Sequence, residues 1–321
     1  MSVQDRDPRG PLAGASPPEH VLLDEVMLHR ALVEEGPYAR LVRQPSLDST
    51  NAELARLVAD PGFHQEWPHL SVLTAEEQTG GRGRLAREWS SPAGQSLSTS
   101  LVLRPAVSPD LYPWLSLLAG VALAEVLRAE HGLAAHLKWP NDVHIEGRKV
   151  SGILASIAGD AVVLGIGINV LQEAGELPTP QSTSVLAERA RAGRATPDAG
   201  MPARASLRTQ LLVSVLLAFA ELLRQLEAAG TRAVTLPGSV LQRVTAVMDT
   251  LGAEVRLELP DGTAVRGHAV ELAGQGAILV EVTHRREAAE SGEGVQWVPA
   301  APERRAFSVG DVTHLRRWER R

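Results

Sequence analysis

Apolar residues recur at helical spacing in some stretches of this chain and alternate at strand spacing in others. Val26 to Glu35 is predicted as a short helix. Leu54, Leu57 and Val58 lie on one helical face just after Ser49-Thr50-Asn51-Ala52-Glu53, where Thr50 is expected to cap and Glu53 to close a capping box. Trp114 to Leu127 reads as a helix with Trp114, Leu117, Leu118 and Val121 in phase, and Leu207 to Ala228 as a long amphipathic one. Leu70 to Ala75 and Ser96 to Leu103 have strand length and pattern. Val150–Ile157 and Ala161–Val170 form a predicted hairpin pair joined by Gly159-Asp160. Residues 172–205, rich in Pro, Ala and Arg, read as a loop or insertion.

Pro237-Gly238 marks a predicted domain boundary, beyond which the pattern becomes all β. Val255, Leu257 and Leu259 alternate with charged residues, and Pro260-Asp261-Gly262 supplies a hairpin turn. Val265–Leu272 and Ala277–Thr283 follow as further short strands. Residues 1–20 lack a hydrophobic period and read as a disordered lead-in. The expected organisation is therefore an α+β body over 21–237 and a small β-barrel over 238–321.

Composition narrows the chemistry. Cysteine is absent, which excludes disulfides, a thiol nucleophile and cysteine-ligated metal centres. A net charge of -6 argues against a basic nucleic-acid coat. The first 20 residues hold no apolar core of signal-peptide type, and the apolar run Leu211–Ala220 is too short to span a bilayer. A cytoplasmic protein without a membrane partner is expected. Of 32 basic residues only two, Lys138 and Lys149, are lysines. They mark either chance or positions where a compact ammonium cannot be exchanged for a guanidinium.

Three segments could carry chemistry. In Gln78-Thr79-Gly80-Gly81-Arg82-Gly83-Arg84-Leu85-Ala86-Arg87-Glu88-Trp89, glycines let backbone N–H groups converge and arginines add positive charge, a combination suited to phosphate. A solvated Arg/Gly surface loop is an equal reading. The match to a G-x-G-x-x-A dinucleotide fingerprint is rejected, because Ser90-Ser91-Pro92 cuts off the helix it requires. Lys138-Trp139-Pro140-Asn141-Asp142 with Gly147-Arg148-Lys149-Val150-Ser151-Gly152 is either a plain turn or a gathering of amide, carboxylate and two ammonium groups. There a carboxylate could help hold Mg²⁺ on nucleotide phosphates, and a lysine could neutralise an anion during acyl transfer. Gly165-Ile166-Gly167-Ile168-Asn169 reads equally as a bulge or as a place where a ligand approaches a strand. The histidines are scattered and show no metal-ligand spacing.

Ser49-Thr50-Asn51, Gln78-x-x-Gly81-Arg82-Gly83-Arg84, Lys138-Trp139-Pro140-Asn141-Asp142, Lys149-x-x-Gly152 and Gly165-x-Gly167-x-Asn169 occur in this order. In that series the chain resembles the bacterial biotin–protein ligases over roughly residues 40–316. The resemblance implies a mixed-sheet catalytic domain of the class II synthetase-like, lipoate-ligase-like type, followed by an SH3-like barrel. It implies that biotin and Mg²⁺-ATP give biotinyl-5′-AMP, after which a lysine of a biotin carboxyl carrier domain of an acyl-CoA carboxylase takes the biotin. It places Ser49, Thr50, Asn51 and Gln78 at the biotin ureido end, with Gly152 also at biotin. Arg82, Gly83 and Arg84 become the loop over biotin and the adenylate phosphate, with Arg87 and Trp89 flanking the intermediate. Asn141 and Asp142 serve the nucleotide and its Mg²⁺, Lys149 the biotin carboxylate and α-phosphate, and Asn169 the adenine. Catalysis would rest on Lys149, Arg84 and Arg82.

Leu85-Ala86 departs from the Arg-Gly that some of those ligases carry. Only 48 residues precede Ser49, too few for the winged helix-turn-helix of regulatory members. A ligase that binds no specific DNA, as monomer or weak homodimer, is the expectation. Two other readings compete. A lipoate ligase or octanoyltransferase would share the fold without the paired Gly-Arg and Trp-Pro-Asn-Asp motifs. An RNA-binding module is opposed by the acidic charge and an aromatic content of 3%.

Overall fold

The computed structural model describes residues 22–84, 87–194, 201–287 and 296–316. The expected lead-in of residues 1–20 lies outside them. In chain order the elements are α1 (Glu25–His29, continued by a π-helical turn over Arg30–Glu34), β1 (Arg40–Gln44), α2 (Thr50–Leu57), α3 (Phe63–Glu66), β2 (Ser71–Ala75), β3 (Gln78–Arg82), β4 (Glu88–Ser91) and β5 (Ser96–Leu103). There follow α4 (Trp114–Ala129), β6 (Ala135–Lys138), β7 (Asp142–Ile145), β8 (Arg148–Ala158), β9 (Ala161–Asn169), α5 (Val185–Arg191), α6 (Met201–Glu227) and α7 (Gly238–Val247). The last five are β10 (Glu254–Glu258), β11 (Ala264–Leu272), β12 (Ile278–Arg286), β13 (Val298–Phe307) and β14 (Asp311–Arg316).

A seven-stranded sheet runs β1-β2-β5-β9-β8-β7-β6. Only β1 and β2 pair in parallel; the remaining neighbours are antiparallel, so the sheet is mixed. Strand alternation assigns its two faces. On β9, Val162, Leu164, Ile166 and Ile168 enter the main core with the apolar side of α4 and α6. Ala161 and Val163 point the other way, into a smaller cluster with Leu54, Phe63 and Trp67. The next residues on that second face are Gly165, Gly167 and Asn169, and there the apolar filling stops. β5 repeats the pattern. Leu97, Leu101 and Leu103 face the main core, while buried Ser96, Ser98 and Ser100 alternate with them. One helical stretch, Ala203–Glu227, is long and apolar enough to cross a bilayer, but 67% of that window is buried in this protein. Its apolarity is spent on the core.

The sequence expectations for β5, α4, the β8–β9 hairpin and α6 match these elements closely. Three differ. The cap of α2 is Ser49 rather than Thr50: Ser49 is extended and its Oγ accepts from Ala52 N–H at 3.4 Å. Thr50 is already the first residue of the helix, and its hydroxyl is drawn to Gln78 instead; Glu53 pairs with Arg56. Residues 172–205 are not a plain loop, since they include α5 and the start of α6. The first element after Pro237 is a helix, α7, whose Arg243 forms an ion pair with Glu125 of α4.

Beyond α7, β10–β14 form an antiparallel sheet in the order β13-β12-β11-β10-β14. Among the described residues its end strands β13 and β14 are not hydrogen-bonded to each other, so the expected barrel closure is not seen. The sheet is tied to the body through Trp139, whose buried indole N–H donates to Gly276 O at 2.9 Å while its backbone N–H donates to Thr250 Oγ1 at 3.0 Å. The tryptophan of the Trp-Pro-Asn-Asp segment is therefore a structural pin, and its neighbours Asn141 and Asp142 face the other way.

Candidate active site

Where the second face of the large sheet loses its apolar cover, a cleft of about 300 Å³ opens beneath the β3–β4 hairpin. Every site residue nominated from the sequence lines it: Ser49, Thr50 and Asn51 of α2 and its cap, Gln78, Arg82, Gly83, Arg84, Arg87 and Trp89 of the hairpin, then Asn141, Asp142, Lys149, Gly152 and Asn169. Lys138 is not among the lining residues. It lies opposite Asp142 across the β6–β7 hairpin, and burial pushes its ammonium down.

At one end the cleft is a network of neutral polar groups. Gln78 Oε1 accepts from both Thr50 N–H (2.8 Å) and Thr50 Oγ1–H (3.0 Å). The Ser100 hydroxyl lies 2.6 Å from Thr50 Oγ1 and 2.6 Å from Asn51 Oδ1, and the Asn51 amide donates to Leu154 O at 3.1 Å. Gly165 makes this possible. A Cβ there would sit 2.4 Å from Asn51 Oδ1, so only glycine lets the amide cross the strand. Such a wall offers paired donors and acceptors to a flat polar ring.

The Gly/Arg segment, expected as a loop, is a short β3–β4 hairpin in which Gly81 pairs with Trp89 and Arg82 with Glu88. A Cβ on Gly81 would meet Trp89 O at 2.6 Å. Gly83 N–H donates to Arg87 O at 2.7 Å, narrowing the tip. Leu85 and Ala86 lie outside the described residues. Arg84 Nη1 reaches Asn141 Oδ1 at 3.4 Å, and Arg82 is exposed above the cleft. Trp89 lies flat against the sheet because Gly167 has no side chain; a Cβ at 167 would be 2.5 Å from the indole.

Lys149 stands in the middle. Its Nζ is 2.7 Å from Asp142 Oδ1 and 5.9 Å from the centre of the Trp89 ring. Gly152 leaves room for it, since a Cβ there would come within 3.1 Å of Nζ. For Asp142, burial pushes the carboxyl up, but hydrogen bonding and charge from His144 and Lys149 outweigh it and hold it below the ordinary carboxylate range. Asp142 is thus ionised at neutral pH. Among the described residues no group of three or more His, Asp or Glu gathers as a metal cage. A lone carboxylate of this kind fits an Mg²⁺ that arrives on phosphates, which supplies most of its other ligands.

The far wall shows what sequence reasoning missed. The stretch after β9 returns to pair with Lys149: Lys149 N–H donates to Gln181 O (2.7 Å) and Thr183 N–H to Lys149 O (2.8 Å). It brings Pro178, Thr179 and Ser182 to the cleft. Asn169 is buried at its root, donating to Thr183 O at 3.0 Å. Behind it, Glu188 is 3% exposed and accepts from Arg148 Nε (2.8 Å), Arg148 Nη2 (2.9 Å) and Thr183 Oγ1 (2.5 Å). Gly310 and Asp311, from the C-terminal sheet, also line the cleft. The alternating serines of β5 were a readable signal for Ser98 and Ser100. Asp311 had none, because 224 residues separate it from Arg87, its partner in space.

Residues 44–172 match the biotin/lipoate A/B protein ligase family. The chain is 35% identical over 304 residues to a biotin–[acetyl-CoA-carboxylase] ligase of Mycobacterium tuberculosis, covering 92% of this chain and 96% of that protein. To the ligase of the same name from Paracoccus denitrificans it is 44% identical over 131 residues, about half of that protein's length. Among solved structures it resembles the biotin protein ligase of Aquifex aeolicus in complex with biotin and ATP, with a TM-score of 0.59 and 27% identity over 84% of this chain and all of the other. The chain belongs to the biotin/lipoate A/B protein ligase family.

Proposed function

We propose that this chain is an ATP-dependent biotin–protein ligase. The observation that carries the reading is the composition of the cleft: a neutral polar end built from Ser49, Thr50, Asn51 and Gln78 beside a cluster of Arg82, Arg84, Arg87 and Lys149. The polar end suits the ureido ring of biotin better than an apolar dithiolane, whose sulfurs could not satisfy Asn51, Thr50 and Gln78. The cationic cluster suits the junction of a carboxylate with a phosphate. Two anions must meet there, and fixed cations lower the cost of bringing them together.

In the first half-reaction a biotin carboxylate oxygen attacks the α-phosphorus of ATP. The new P–O bond forms as the bond to pyrophosphate breaks, and pyrophosphate leaves with the electron pair. Lys149, centred in the cleft, is assigned to the biotin carboxylate and the α-phosphate together, and Arg82 and Arg84 to the negative charge above them. Gly152 gives the ammonium its space. Arg87 and Trp89 flank the adenylate, Asn141 and Asn169 serve the nucleotide, and Asp142 with its bound cation partner is the ligand available to an incoming Mg²⁺. In the second half-reaction the uncharged amine of a carrier lysine attacks the anhydride carbonyl. The N–C bond forms, the C–O bond to phosphate breaks with its electron pair going to the phosphate oxygen, AMP departs, and the surplus proton on nitrogen is lost to water.

The same proposal takes residues 21–237 as the catalytic domain and 238–321 as an SH3-like C-terminal domain. It takes a biotin carboxyl carrier domain as the protein partner, the cytoplasm as the place of action, and a monomer or weak dimer as the working form. Incubation with biotin, ATP and Mg²⁺ should yield biotinyl-AMP, detected by mass spectrometry only when all three are present. Failure to detect it with folded protein would contradict the reading.

A further inference from the structure

We propose that Asp311 receives the ammonium group of the acceptor lysine at the mouth of the cleft, an inference that rests on the ligase reading above. A carrier lysine reaches the site as a cation, yet the cleft is lined by Arg82, Arg84, Arg87 and Lys149. These charges favour the adenylate and repel the nucleophile that must follow it. A carboxylate on the approach would offset that repulsion.

Three carboxylates line the cleft: Glu88, Asp142 and Asp311. Asp142 is held by Lys149 at 2.7 Å, on the inner side. Asp311 alone among them also lines a second cavity of about 120 Å³, which shares Arg84, Arg87 and Gly310 with the cleft and is walled outside by Glu258, Leu259 and Pro260. The two cavities meet at Asp311. This smaller one has the apolar Leu259 and Pro260 among its lining residues, which suits the methylene stem of a lysine; its other carboxylate, Glu258, is already engaged by Arg256 and Arg286.

Asp311 is placed to act on a second cation. Its Oδ2 accepts from Arg87 Nη2 at 2.5 Å; no second hydrogen bond or ion pair of its carboxylate is found among the described residues, while its charge also acts on Arg84 and Lys138. The side chains of Arg87 and Asp311 are 64% and 40% exposed, so solvent screens the pair and it is weakly held. Asp311 binds the lysine in its charged form; the proton is lost to solvent before the amine attacks.

The test measures transfer from preformed biotinyl-AMP on the full chain to two nucleophiles, a purified biotin carboxyl carrier domain and hydroxylamine, which is uncharged at neutral pH. In Asp311→Asn the ratio of carrier transfer to hydroxylamine capture should fall about tenfold or more, as expected when a charge-assisted contact is lost. Asp311→Glu should recover part of it. Glu303→Gln, which removes an exposed carboxylate of the same C-terminal sheet that lines neither cavity, should not lower the ratio. An unchanged ratio in Asp311→Asn, or an equal fall in Glu303→Gln, would overturn the proposal alone. If the wild-type chain forms no adenylate, the ligase reading fails and this proposal with it.

Discussion

Lys149 is the most closely surrounded cation of the cleft wall formed by Asp142, Trp89 and Gly152. Its ammonium sits 2.7 Å from Asp142, under the Trp89 ring, over the bare Cα of Gly152. A guanidinium is wider and planar, and it prefers one partner bidentately. In this crowded position it cannot bridge two anions as a near-point charge does. Lys149→Ala should slow adenylate formation by about 10²–10³-fold, the range for losing one preorganised charge-stabilising group. Lys149→Arg should regain little of that, with thermal melts showing both variants folded. Near wild-type rates in the Arg variant would remove the bridging role. The sequence made this residue visible through its rarity: arginine serves at nearly every other basic position. What it could not show is the reason for Gly165 and Gly167. Those glycines read equally as a bulge, and only the positions of Asn51 and Trp89 across the sheet show that side chains, not backbone, need the space.

At the scale of elements, the stretch following β9 and helix α5 hold the far wall through one buried carboxylate. Burial pushes Glu188 up, but hydrogen bonds from Arg148 and Thr183 and the charges of Arg148 and Arg191 outweigh it, so its folded pKa lies below the ordinary glutamate range. A lowered folded pKa means that the stabilisation is fully present above the unfolded value of about 4.3 and is lost as pH falls through the folded one. Glu188→Gln should cost on the order of 3 kcal/mol at neutral pH, because it leaves Arg148 without its buried counter-charge. Melting curves of wild type and variant should differ by a constant interval above about pH 6 and converge in acid. An interval that does not shrink below pH 4 would show that Glu188 acts by packing rather than by charge. Periodicity made β5, β8, β9, α4 and α6 legible, since each buries a regular face. It could not find α5 or the return of residues 178–183 to Lys149, because that stretch is held by single hydrogen bonds and one ion-pair cluster rather than by an apolar stripe.

For the whole molecule, the working unit is assembled from parts far apart in the chain. The large sheet supplies a floor, α2 a polar end wall, the β3–β4 hairpin a roof of cations, and the C-terminal sheet an outer edge at Asp311. Trp139 fixes that outer edge by bonding to Gly276 and Thr250. Alternating short strands made the C-terminal sheet readable, but they begin at β10 and not directly after Pro237, where α7 comes first and joins α4. Which loop of that sheet faces the cleft was not readable, because topology rather than local sequence decides it. Activation of biotin by adenylation in this assembly is read most directly by ATP–pyrophosphate exchange with biotin or lipoate as the acid. Mg²⁺-dependent exchange should require biotin, be weak with lipoate and be lost in Lys149→Ala; exchange driven by lipoate but not by biotin, or absent with both, would rule out adenylation of biotin here.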